Sequence, residues 1–274
     1  MRATNSTFDT TIGARLAPAS ITATGADAAY WALRVGAAMC FIGHGAFGFI
    51  TKAAWLPYFG VIGIPESWAW KLMPLIGAVD VTAGMAVLFA PRALPLVYMS
   101  VWALWTALLR PLSGESMLEA VERAGNYGVP FALLVLTGMP RSVERLVSRL
   151  EGPMTNGTGL TGAMSILKWT TVLLLVGHGL LGAVTHKAVL MGHYAVIGFP
   201  VDAVDFIGWF EILLAAAIVV RPAVGLLVFV AAWKIATESL FVVSGAPVWE
   251  FVERGGSYAA PLALAALTRY RRSI

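Results

Sequence analysis

The chain has 274 residues, of which 58% are hydrophobic and 12% charged, and its net charge is +4. A soluble domain carries about 25% charged residues, so this composition, with a mean hydropathy of +0.77, excludes an ordinary water-soluble protein and predicts an all-α integral membrane protein that meets the lipid bilayer directly. The dispersed charge, with no basic block interleaved with aromatics, sets nucleic acid aside as a partner, and the lone Cys40 excludes an intrachain disulfide and a thiolate metal cage.

Residues 1–27 are rich in Ser, Thr and Ala and lack the basic-then-apolar pattern of a signal peptide. They read as a mobile cytoplasmic N-terminal tail. Four apolar stretches follow, at 31–50, 70–89, 93–110 and 118–138, each near the ~20 residues needed to span a bilayer. Residues 139–163 read as a cytoplasmic linker. Its start places Val143, Leu146, Val147 and Leu150 opposite Arg141, Arg145 and Arg149, the pattern of a short helix lying on a membrane surface. Four more stretches follow at 165–184, 203–220, 222–242 and 249–268.

The two sets of four are copies. Gly43-His44-Gly45 recurs as Gly177-His178-Gly179, Gly63-Ile64-Pro65 as Gly198-Phe199-Pro200, and Asp80 as Glu211. Glu119-Ala120-Val121-Glu122-Arg123 recurs as Glu250-Phe251-Val252-Glu253-Arg254, followed in each copy by Tyr127 or Tyr258 and Pro130 or Pro261. The order and spacing are kept, which scattered apolar residues cannot do by chance. The expectation is eight transmembrane helices, as two parallel four-helix repeats (28–138 and 164–274) with pseudo-two-fold symmetry along the membrane normal. The Lys/Arg bias places both termini on the cytoplasmic side of a bacterial-type inner membrane. Arg34 and Lys168 are expected to snorkel at the inner interface, Pro130 and Pro261 to kink their helices, and most tryptophans to form an interfacial belt.

Three groups of residues can carry chemistry. His44 and His178 lie about 15 Å in from Arg34 and Lys168, near mid-membrane, where an ionisable side chain is costly. Asp80 and Glu211 fall at a similar depth, so His44 with Asp80 and His178 with Glu211 can form proton-handling pairs, or each pair can simply satisfy itself between helices. Glu119, Glu122, Arg123 and Tyr127, with Glu250, Glu253, Arg254 and Tyr258, form outer clusters that can bind a polar headgroup or make interfacial ion pairs. Lys234 and Glu238, spaced i, i+4, stand where the first copy has Ala103 and Ala107. The second copy is the more polar one and is the expected place for an asymmetric site. The metal is unknown; His178, His186 and His193 with Glu253 form one possible metal set, and a haem between His44 and His178 is a further alternative.

The first-helix His-Gly, the Gly-x-Pro before the second helix, its acidic residue (Asp80, Glu211) and the Pro/Arg hairpins (Pro91-Arg92, Arg221-Pro222) resemble the DoxX-like family of four-helix membrane proteins, grouped with methylamine-utilisation membrane proteins, here in tandem. The resemblance implies an inner-membrane subunit of a quinone-linked redox system, or a protein that binds a quinone-like lipid, with other membrane redox subunits as partners. The cofactor stays unassigned, with a quinone compatible. A small-solute or ion transporter, and a structural or assembly subunit of a larger membrane complex, are the alternatives from other classes.

Overall fold

In the computed structural model, residues 21–200 and 202–272 are described, and they form thirteen α-helices and a 3-10 turn. The expected tail at 1–20 lies outside the described residues; residues 21–27, also assigned to it, are helical.

The helices are α1 (Ile21–Phe49), α2 (Leu56–Val61, entered through the turn Ala53–Trp55), α3 (Glu66–Phe89), α4 (Ala93–Leu112), α5 (Met117–Glu122), α6 (Ala124–Thr137) and α7 (Val143–Val147), followed by α8 (Gly157–Ala183), α9 (Ala188–Val196), α10 (Ala203–Val220), α11 (Val224–Val243), α12 (Val248–Val252) and α13 (Gly255–Arg271). Six helices, α1, α3, α4, α8, α10 and α11, are long and apolar enough to cross a membrane. Leu75, Phe89, Phe206 and Val220 are among the large apolar side chains these helices present outward, as a chain surrounded by lipid requires. The described residues are therefore all-helical, with six helices of the length and apolar character of a multi-pass membrane protein.

The stretches 118–138 and 249–268 are not continuous helices. Each breaks at its arginine, into α5 and α6 at Arg123 and into α12 and α13 at Arg254. A break frees backbone carbonyls, which must find donors in an apolar setting. Here the local side chains supply them. Arg123 Nη1 donates to Glu119 O at 3.0 Å and Tyr127 to Ala120 O at 3.3 Å. Arg254 Nη1 donates to Glu250 O at 2.7 Å and Tyr258 to Phe251 O at 3.0 Å. The interruption thus falls a turn or two before the prolines expected to cause it; Pro130 and Pro261 lie inside α6 and α13.

The two halves of the chain interlock. α1 packs on α3 and on α13, and α8 packs on α10 and on α6, so each half's first helix lies against the other half's last. This needs backbones to approach closely. A Cβ on Gly43 would stand 2.4 Å from the Glu253 nitrogen, and one on Gly177 would stand 2.4 Å from the Glu122 nitrogen. Small residues allow such crossings between membrane helices. One apolar core runs through both halves, with Leu33, Leu96, Leu133, Leu167, Leu227 and Leu264 among its members.

One end of the bundle carries α2, α5, α9 and α12, and is called the distal end. The linker end carries residues 138–156. There Arg34 is buried, not snorkelling: its Nε donates to Val87 O at 3.0 Å and its Nη2 to Leu88 O. Lys168 donates to Val219 O at 2.8 Å. Both cations therefore cap carbonyls at the C-terminal ends of α3 and α10, where the helix dipole favours positive charge. The linker helix is five residues long. Leu146 and Leu150 pack against the core, whereas Val143 and Val147, expected on the same face, are exposed. Residue 150 continues as extended chain, its amide bonded to Pro91 O at 2.9 Å. That bond ties the linker to the α3–α4 turn, and the expected helix ends early.

A candidate ligand site beside His44

The close packing of α1 on α3 brings His44 to Asp80. The imidazole Nδ1 lies 2.8 Å from Asp80 Oδ2, and Tyr98 on α4 donates to Asp80 Oδ1 at 2.8 Å. Asp80 is fully buried, where an unpaired carboxylate would cost several kcal/mol, and these two donors satisfy both oxygens. The carboxylate holds the proton on Nδ1, which leaves Nε2 as the imidazole's free nitrogen. In the second half His178 Nδ1 lies 2.5 Å from Glu211 Oε2, and Trp233 donates to Glu211 Oε1 at 2.9 Å. The four mid-depth residues expected to pair do pair.

The pairs differ in what surrounds them. The His44 side chain is 25% exposed and that of His178 7%. His44 opens onto a cavity of about 180 Å³ walled by α2, α3 and α4, with Trp55, Tyr58, Trp102 and Thr106 among its lining residues. Trp55 stacks on the imidazole with ring centroids 4.4 Å apart. It is buried in this site, not part of an interfacial belt. Arg110, Arg123, Asn126 and Glu253 add polar groups to the wall. Trp102 Nε1, buried at the edge of this space, has no hydrogen-bond partner among the described residues. At the matching position Trp233 Nε1 binds Glu211; in the first half Tyr98 takes that place on Asp80 and leaves the indole free.

The matching positions of the second half carry buried charges. Lys234 is 1% exposed, 2.8 Å from Glu238 and 3.6 Å from Glu211. Glu238 lies 2.8 Å from Arg254 Nε. The cavity therefore sits in the less polar first copy, contrary to the expectation that the extra charges of the second copy mark the site. Those charges are ion-paired with one another.

The outer clusters expected to bind a headgroup form one ion-paired layer at the distal end. Arg123 meets Glu119 at 3.0 Å and Glu122 at 2.8 Å, while Arg254 meets Glu250 at 2.8 Å and Glu253 at 3.1 Å. Lysines from the loops after α1 and α8 cross between halves: Lys52 to Glu250 and Lys187 to Glu119, both at 2.6 Å. Of this layer, Arg123 and Glu253 reach the cavity, and Tyr127 and Tyr258 serve backbone carbonyls.

Outside the membrane-crossing helices, α2 is tied down by Tyr58, whose hydroxyl donates to Glu115. Burial pushes the Tyr58 hydroxyl up to about 12, against the pull of Arg110. Glu115 is raised by burial, but its bond from Tyr58 and the nearby charge of Arg110 outweigh this and hold it below the usual carboxylate range. On α9, burial pushes His193 down, helped by the charge of Arg254 and opposed by Glu238.

Among the described residues no group of three or more His, Cys, Asp or Glu is arranged to hold a metal. The proposed set of His178, His186, His193 and Glu253 is not assembled: His186 sits 3.0 Å from Asp205 on the exposed distal surface, and His193 packs against Phe241. A haem between His44 and His178 would need both imidazoles open to it, and His178 is enclosed by protein.

Residues of α2 were not among the expected site residues, nor were Trp102 and Arg110. The sequence signal that could have found them is the Trp55-x-x-Tyr58 pair at the entry to α2, two aromatics inside a loop too short to cross a membrane. Compared with protein-family models, curated proteins and solved structures, the chain matches none.

Proposed function

We propose that this protein binds the headgroup of a quinone-like lipid in the cavity beside His44, as an inner-membrane subunit of a quinone-linked redox system. The observation that carries the reading is the chemistry of that cavity. Its walls combine the flat rings of Trp55, Tyr58, Phe59 and Trp102 with aliphatic Ile64, Leu72, Ile76 and Leu109, and its polar groups include the donors Arg110, Arg123, Asn126 and the unpartnered Trp102 indole. Such a lining suits a planar ligand with carbonyl oxygens. The exposed side chains of Ile62 and Trp105 border the same cavity, so a lipid-soluble ligand can enter from the bilayer with its tail outside. His44 would take or return one proton at Nε2, and Asp80 would stabilise the imidazolium. The electrons would pass to a separate redox subunit.

The same reading takes the chain as a tandem DoxX-like protein with two parallel copies, related by a pseudo-two-fold axis along the membrane normal. The broken segments α5–α6 and α12–α13 complete eight crossings, and both termini are cytoplasmic. The exchange of lysines between the halves, Lys52 to Glu250 and Lys187 to Glu119, is what such an axis would produce.

Titration of the purified protein with a short-chain benzoquinone tests the proposal. Saturable quenching of tryptophan fluorescence at one equivalent is expected, with loss of binding when Ala103→Phe fills the cavity. Equal quenching of both proteins would overturn it. Full function of the complex in cells after His44→Ala and Asp80→Asn would instead favour a structural or assembly subunit.

A second reading, ion transport, draws on the unbroken run of polar contacts that leads from the partly exposed Lys52 through Glu250 and Arg254 to the buried Glu238, Lys234, Glu211 and His178. Proton or solute flux in proteoliposomes that Glu238→Gln abolishes would favour it.

A further inference from the structure

Lys234 corresponds to Ala103 in the cavity wall, and Glu238 to Ala107, which is buried one turn further along α4. Ala103 and Ala107 on α4 align with Lys234 and Glu238 on α11, at the same offset that relates Asp80 to Glu211 and Arg123 to Arg254. The surroundings also correspond. α2 packs on α3 and α4, and α9 packs on α10 and α11. Trp102 and Thr106 beside the cavity align with Trp233 and Thr237 beside Lys234. Ala103 and Thr106 line open space, whereas Lys234, Thr237 and Glu238 are buried in contact with protein.

We infer that the second half contains an occluded copy of the ligand site, and that the Lys234–Glu238 ion pair is its internal plug. The chain then binds one ligand, not two, because two side chains of its own fill the second position. The pair is suited to this. Lys234 lies between the Glu211 and Glu238 carboxylates, and Glu238 lies between Lys234 and Arg254. Removing both partners together is charge-neutral and leaves no uncompensated ion. Glu211 keeps His178 and Trp233, and Arg254 keeps Glu250 and Glu253. The plug is therefore removable without dismantling the network around it.

The existence of the occluded space can be tested without any ligand; only the identity of what enters it rests on the quinone reading. In a Cys40→Ala background, Thr106→Cys and Thr237→Cys report access at matching positions to N-ethylmaleimide, a small lipid-soluble probe. Thr106→Cys is expected to react at least about tenfold faster than Thr237→Cys, since reaction follows access. Lys234→Ala with Glu238→Ala should raise the Thr237→Cys rate about tenfold, towards that of Thr106→Cys. Lys234→Met with Glu238→Leu, which refills the space with apolar atoms, should leave it slow and so separates opening from general loosening. A slow Thr237→Cys in the Ala/Ala protein, or equal rates in the Ala/Ala and Met/Leu proteins, overturns the inference whatever quinone does. With benzoquinone as probe, the Ala/Ala protein should bind two equivalents where the natural protein binds one. Absence of binding in both, with the labelling pattern as expected, overturns the quinone reading and leaves the plug standing.

Discussion

Lys52 Nζ lies 2.6 Å from Glu250 Oε1, joining residues 198 apart in sequence and in opposite halves of the chain. Its counterpart joins Lys187 to Glu119 at the same distance. Each half is therefore closed by a lysine from the other, and neither distal cluster is complete by itself.

Both lysine pairs are partly shielded from solvent, so their strength should lie between surface and buried ion pairs. Lys52→Met and Glu250→Gln, measured singly and together by thermal unfolding in detergent, should give a coupling of about 1–2 kcal/mol. Additive effects, with no coupling, would mean the halves are held by apolar packing alone.

Arg254 is the more critical group. It faces Glu238, Glu250 and Glu253 and caps the Glu250 carbonyl. Arg254→Met leaves these carboxylates short of a partner and the helix break uncapped. A loss of about 3–5 kcal/mol is expected, read as a collapsed monodisperse peak on size exclusion. Arg254→Lys keeps the charge without the fork and should fall between.

Asp80→Asn tests the hydrogen-bond assignment at the candidate site. An amide oxygen can accept from only one side while its nitrogen donates, yet Tyr98 and His44 both donate to Asp80. The His44 proton should move from Nδ1 to Nε2, at a stability cost of about 1–3 kcal/mol. Nitrogen NMR of labelled histidine reads this directly. A proton already on Nε2 in the natural protein would contradict the assignment.

His193 gives the pH dependence a sign. Its folded pKa is pushed down by burial and Arg254, so below its unfolded value of about 6.5 the unfolded chain takes up the proton first. Stability therefore falls as pH drops from about 6.5 towards the lower folded value, and it is unaffected above. Melting temperatures from pH 8 to 5 should show this decline, and His193→Gln should flatten it. Glu115, also depressed, adds a pH dependence only in a more acidic range: its stabilisation is complete above about 4.3 and is lost as pH falls below that.

The sequence by itself determined the apolar composition, the hydrophobic segments and the repeated motifs, and it marked His44 with Asp80 and His178 with Glu211 as groups able to pair. These follow from local composition and from matched spacing along helices, which one strand of text records. Tertiary structure alone decided the breaks at Arg123 and Arg254, the exchange of Lys52 and Lys187 between halves, and the place of the cavity. Each of these depends on what a side chain meets across the bundle. Lys234 and Glu238 marked the second half as special in the sequence, and in the fold they are buried as an ion pair with each other. Ala103 carries no chemical signal, and the space it borders beside His44 exists only once α2, α3 and α4 are packed together.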